Sequence, residues 1–154
     1  MNSEIIIELL NRLLEAELMA VEYYTIHAEA IAEPEIAEGV KAIIPAEVSH
    51  AVNLAERIKE LGGVPVGAGG EASRKGREMG ERSKRDGTVA MLKLELTQEQ
   101  EAIKAYAEPV ADIVDDMTTL EMLEEQLFDE MRHAKWLKQR ILELDANTSA
   151  LSKK

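Results

Sequence analysis

Residues 123–137 read LEEQLFDEMRHAKWL. Leu123, Leu127 and Leu137 recur at helical spacing, and the stripe they mark passes through Glu130 and His133. A carboxylate and an imidazole therefore occupy positions where an amphipathic helix places its core, three residues apart on one face. The stretch 40–54, VKAIIPAEVSHAVNL, repeats the pattern with Val40, Ile43, Glu47, His50 and Leu54. Glu47 and Glu130, His50 and His133, Leu54 and Leu137, and Arg57 and Arg140 are each 83 residues apart.

Two further stripes carry one acid each. Leu10, Leu13, Glu17, Ala20 and Tyr24 form the first; Leu92, Leu96, Glu99, Ile103 and Tyr106 form the second. Glu17 and Glu99 stand 82 residues apart, as do Tyr24 and Tyr106. The chain thus consists of a helical hairpin and its repeat.

The periodicity predicts four long helices: Ser3 to Ile31, Pro34 to Leu61, Thr88 to Asp115 and Leu120 to Leu144. Pro34 suits a first helical position, Thr118 and Glu121 form a capping-box pattern, and Pro45 and Pro109 predict kinks. Tight links near Glu33-Pro34 and Asp116-Met117 make each pair antiparallel. Most of the nine Gly and four Pro lie between Gly62 and Gly87, a stretch long enough to travel the length of a bundle. The expected fold is all-α: an antiparallel four-helix bundle with one long crossover. The bundle is expected over residues 1–146, followed by a polar tail, 147–154, too short for a fifth packed helix.

Composition agrees and excludes much else. The 154 residues suit one domain, and 45% hydrophobic content supplies a core. A net charge of −12 disfavours nucleic acid, whose phosphates would repel it, and no apolar run is long enough for a membrane span. Zero Cys excludes disulfides and thiolate metal sites. With no basic leader-like start, the chain is expected in the cytoplasm.

Four carboxylates facing one core would be very costly unless partly protonated or neutralised. Two divalent cations neutralise them. One Glu from each of two helices plus Glu-x-x-His from each of the other two is the ligand set of di-iron and di-manganese carboxylate bundles. The expected metal ligands, and with them the catalytic residues, are Glu17, Glu47, His50, Glu99, Glu130 and His133. Tyr24 and Tyr106 pack, hydrogen-bond a ligand carboxylate across the bundle, or act as redox-active phenols. His27, with no repeat partner, reads as a partly exposed or core-lining histidine.

These residues resemble the ferritin-like superfamily, and bacterioferritins in particular. The carriers are Glu17-x6-Tyr24, Glu47-x-x-His50, Leu94-Glu95-Leu96 leading to Glu99-x6-Tyr106, and Asp129-Glu130-Met131-Arg132-His133 with Trp136-Leu137. The resemblance spans residues 5–145. It implies that Glu47 and Glu130 bridge two iron (or manganese) ions, with Glu17 and His50 completing one ion's shell and Glu99 and His133 the other's. It implies oxidation of Fe²⁺ by O₂ or H₂O₂, that is, a ferroxidase with a role in iron storage or detoxification. The other readings are a cage-free peroxidase, catalase or oxygenase, rubrerythrin-like without a rubredoxin domain, and a non-catalytic metal-stabilised helical module. Bacterioferritin haem binds through a Met after the second helix's bridging Glu; Val48 stands there, so haem of that type is not expected. Apolar residues outside the core stripes (Ile5, Ile7, Leu9, Leu14 and Leu18 with Ile44, Val48 and Val52) predict a homo-oligomer, at least a dimer through the first hairpin.

Overall fold

In the computed structural model, which describes residues 1–153, five α-helices and a short 3₁₀ turn make up the chain. Helix α1 spans Ser3–Ala30, α2 Pro34–Glu60, α3 Glu71–Ser83, α4 Thr88–Asp112 and α5 Met117–Ser152; the 3₁₀ turn is Lys84–Asp86. Helices α1 and α2 form one hairpin, α4 and α5 the other, and α1 also meets α4 while α2 meets α5. The long helices are the expected ones. Neither internal proline ends its helix: Pro45 lies within α2, and Pro109 in the last turn of α4.

The helix ends have identifiable causes. Asn2 caps α1, its side chain accepting from the Glu4 N–H at 3.0 Å. The cap of α5 is Asp116, which accepts from the Thr119 N–H at 3.0 Å; the Thr118–Glu121 capping box does not form, because the cap lies two positions earlier than Thr118, which falls inside the helix. Arg57 of α2 donates to Asp116 at 2.9 Å and to the buried Thr119 hydroxyl at 2.8 Å, which ties the end of one hairpin to the start of a helix in the other. The α5 helix also runs past Leu144 to Ser152. Nothing in Ala-Asn-Thr-Ser breaks a helix outright, and these last turns stay exposed. Lys154, the final residue of the expected tail, lies outside the described residues.

The crossover departs most from expectation. Instead of an irregular strap it carries α3, a charged helix laid along the outside of α1. Gly76 and Gly80 make that approach close: a Cβ on Gly76 would lie 2.4 Å from the Met19 carbonyl oxygen, and one on Gly80 2.9 Å from the Ile26 side chain. Upstream, Asn11 donates to the Val64 carbonyl at 3.1 Å and accepts from the Val66 N–H at 2.8 Å. The surplus apolar surface of α1 is thus partly covered by the chain's own crossover. Leu14 is not on that surface at all: it is 2% exposed, a core residue, and drops out of the expected dimer patch. Ile5, Val48 and Val52 do remain exposed.

A candidate dinuclear metal centre

Six side chains meet at mid-length of the bundle, from four helices. Glu17 comes from α1, Glu47 and His50 from α2, Glu99 from α4, Glu130 and His133 from α5. All but His133 are at most 3% exposed. They form two overlapping groups in which ligand atoms lie within 4.8 Å of one another: Glu17, Glu47, His50 and Glu130; and Glu47, Glu99, Glu130 and His133. Glu47 and Glu130 belong to both. His50 Nδ1 lies 3.0 Å from Glu130 and 3.4 Å from Glu17; His133 Nδ1 lies 3.1 Å from Glu47 and 3.4 Å from Glu99.

The electrostatics are those of a site built for a cation. Burial, then the neighbouring Glu17 carboxylate, pushes the Glu47 carboxyl well up. Burial pushes Glu130 up to about 11, against the pull of the nearby His50 imidazole. For both imidazoles burial works downward, but the surrounding carboxylates outweigh it and hold them above the ordinary histidine range. Glu99 stays below the carboxylate norm despite its burial, because the neighbouring His133 and Glu130 favour its ionised form. Both oxygens of Glu47, one each of Glu99 and Glu130, and Nδ1 of both histidines make no hydrogen bond. Buried polar atoms are normally satisfied, and six convergent exceptions fit a metal site in charge and donor type.

Hydrogen bonds around the six fix their orientation. Tyr24 donates to Glu99 and Tyr106 to Glu17, both at 2.5 Å and both across the bundle. Tyr106 also meets Gln126 at 3.0 Å. His50 Nε2 meets Asp129 at 2.8 Å, so its Nδ1 is turned toward the carboxylates. The repeat-related position on α2 is Ala46, which offers no carboxylate to His133. A cavity of about 230 Å³ leads to the centre between α1 and α4, walled by Ala16, Ala20, Ala102 and Ala105 with Glu101 beside it.

Some polar residues of this core are not on the sequence-derived stripes. Asp129 carries no signal in the helical periodicity, because it sits beside the stripe and reaches a different helix. Gln126 and Glu95 each lie four residues before a ligand, a spacing that puts them on its face. Glu95, not Leu96, is the buried residue of its turn. It partners His27, which is neither exposed nor merely lining: it is fully buried, with Nδ1 2.7 Å from Glu95 and Nε2 2.6 Å from the Ser83 hydroxyl at the end of α3. Burial alone holds the His27 imidazole down at about 4, and burial with the Glu99 charge pushes Glu95 well up.

The pair is therefore a neutral carboxyl beside a neutral imidazole, holding one proton between them. The unfolded chain holds two on these groups below pH 4.5, one between 4.5 and 6.5, and none above. Between those values the pair leaves stability flat; above 6.5 the folded state holds the extra proton, so stability falls as pH rises, by about 1.4 kcal/mol per unit. Metal-free Glu95→Gln should decline less steeply than wild type, keeping only the share due to the raised Glu47, Glu130, His50 and His133. Urea denaturation of both proteins from pH 6.5 to 8 checks it, and parallel curves would mean the native pair carries no proton.

No curated protein matches this sequence. Among solved structures, a dodecameric thioferritin, the bacterioferritin-related protein of Bacteroides fragilis, superposes with a TM-score of 0.82 at 24% identity, over 97% of this chain and 92% of that one. A ferritin-like diiron-carboxylate protein of Bacillus anthracis str. Ames gives 0.72 at 24% identity, over 92% and 99%. These likenesses carry the fold. Residues 7–147 match the ferritin-like domain family, and the chain belongs to it.

Proposed function

We infer that the protein oxidises Fe²⁺ with O₂ or H₂O₂ at the six-residue centre. The observation that carries this is the pair of overlapping ligand groups sharing Glu47 and Glu130, with unpartnered oxygens and nitrogens directed inward. Two Fe²⁺ ions held there each give up one electron to a shared oxidant. Glu47 and Glu130 hold both positions. Glu17 and His50 serve one, Glu99 and His133 the other, and hard carboxylate donors favour the ferric product. Tyr24 and Tyr106 keep the two outer carboxylates turned inward. Iron and oxidant reach the centre through the alanine-walled cavity, and the net charge of −12 raises the local cation concentration.

Anaerobic titration with Fe²⁺ should saturate at about two ions per chain, with a rise in thermal midpoint on binding. Admitting O₂ should then produce ferric absorbance. Saturation below one ion per chain would sink the dinuclear reading; two ions without oxidation would leave a metal-stabilised helical module. Manganese in place of iron is resolved by metal analysis of protein purified without added metal.

The assembly is a homo-oligomer. The Bacteroides fragilis protein is a dodecamer, and Ile5, Val48 and Val52 leave apolar surface on the first hairpin that the crossover does not cover. Sedimentation of wild type and Val48→Glu tests this: a dimer or larger that dissociates in the variant is expected, and a wild-type monomer refutes it.

A further inference from the structure

A second polar cluster lies beside the dinuclear centre, and the metal site does not use it. Glu95 Oε1 meets His27 Nδ1 at 2.7 Å, and His27 Nε2 meets Ser83 Oγ at 2.6 Å. Ser83 in turn donates to the Met79 carbonyl at 2.7 Å. That last bond settles the direction of the others: with its own hydrogen committed to Met79, Ser83 accepts from Nε2–H, so Nδ1 accepts from the Glu95 carboxyl. The result is an unbroken run of donors and acceptors with every hydrogen pointing outward.

Both ends of the run are open to exchange. The outer end, Ser83, lines a cavity of about 480 Å³ between α1, α3 and α4, whose wall includes Met19, Lys75, Met79, Arg82 and Leu94. At the inner end Glu95 Oε2 is buried and has no hydrogen-bond partner. Glu99 sits one helical turn further along the same face of α4, and its own Oε2 is buried and unpartnered too. Two orphaned carboxylate oxygens one turn apart are a place for an exchanging proton or a single water.

The geometry points to Glu95, His27 and Ser83 as a proton relay between the dinuclear centre and the cavity under α3. A proton from the centre's side binds Glu95 Oε2. The proton on Oε1 moves to His27 Nδ1, the one on Nε2 moves to Ser83 Oγ, and the Ser83 hydroxyl, turning from the Met79 carbonyl, releases its own to water in the cavity. One proton enters and one leaves, and no group ends with a changed charge. Rotation of the carboxyl and a flip of the ring restore the starting order. A cation bound among buried carboxylates displaces protons, and an outlet separate from the alanine-walled cavity keeps them off the path by which the cation enters. This inference rests on the cluster being a metal centre. Glu95 and His27 are positioning residues for proton traffic, not ligands.

The test uses Zn²⁺, which binds without redox chemistry, mixed rapidly with the metal-free protein and a pH-indicator dye. Wild type should release protons as fast as it takes up metal. His27→Gln and Glu95→Gln keep a hydrogen-bonding group but pass no proton. They should bind the same number of Zn²⁺ ions and release the same number of protons, with release slowed by about tenfold or more. Ser83→Ala, at the cavity end and less demanding of the fold, should slow release by a smaller factor, and Ser83→Thr should restore it. Release at the wild-type rate in His27→Gln, Glu95→Gln and Ser83→Ala, with normal Zn²⁺ uptake, would overturn the relay and leave the metal centre intact. Failure of wild type to bind Zn²⁺ would overturn both.

Discussion

Glu130→Ala should reduce iron oxidation by at least about 100-fold, and Glu99→Ala by markedly less. Glu130 belongs to both ligand groups, Glu99 to one. Losing a shared carboxylate takes a donor from both cations and releases the spacing that lets two electrons reach one oxidant. Losing Glu99 leaves Glu47, Glu130 and His133 around its position. The stability change should run the other way in the metal-free protein. There Glu130 is a buried acid among acids, so Glu130→Ala relieves crowding and should unfold no earlier than wild type, while the rise in thermal midpoint on adding Fe²⁺ shrinks or vanishes. Stopped-flow oxidation with paired melting curves reads both effects. Near-wild-type rates in both variants would refute the bridging assignment.

The largest stability effect is expected at Gly76→Ala. The added Cβ meets the backbone of Met19, at 2.4 Å from its oxygen and 2.8 Å from its Cα, and backbone in mid-helix cannot move aside. Helix α3 must therefore lift from α1. Overpacking of this kind costs about 3 kcal/mol, a large share of a domain's stability, and lowers the melting midpoint by roughly 6–12 °C. Gly67→Ala is the control, since nothing lies within 4 Å of its Cβ, and should be neutral. Equal midpoints for the two variants would mean that α3 is not held against α1.

The bundle and its six inward residues were legible because both are periodic. Glu-x-x-His at 47–50 and 130–133, and Glu-x6-Tyr at 17–24 and 99–106, replace apolar residues on stripes that are otherwise regular, so the exceptions stand out. What was hidden depends on helix rotation or on contacts between distant segments. Leu94-Glu95-Leu96 looks like two apolar residues flanking an outward acid; only the rotation fixed by Glu99 shows that Glu95 turns inward. Ser83 and His27 are 56 residues apart and meet only because α3 folds back. The crossover helix itself was masked by Gly76 and Gly80, which read as breakers but serve as contact points. Leu14 erred in the opposite sense: it was assigned to an outer face because the inward arc of α1 is wider than one stripe.

The pairing of His50 with Asp129, and the alanine in the matching place beside His133, means that the repeat's two halves are not interchangeable. One imidazole is held by Asp129 with its Nδ1 facing the cluster before any cation arrives; the other has no such partner and must settle its ring position on binding. The pocket of Glu17 and His50 is therefore expected to fill first. Titration of the metal-free protein should follow two successive steps of unequal affinity, and the half-loaded molecule is a distinct species with a preferred occupant side.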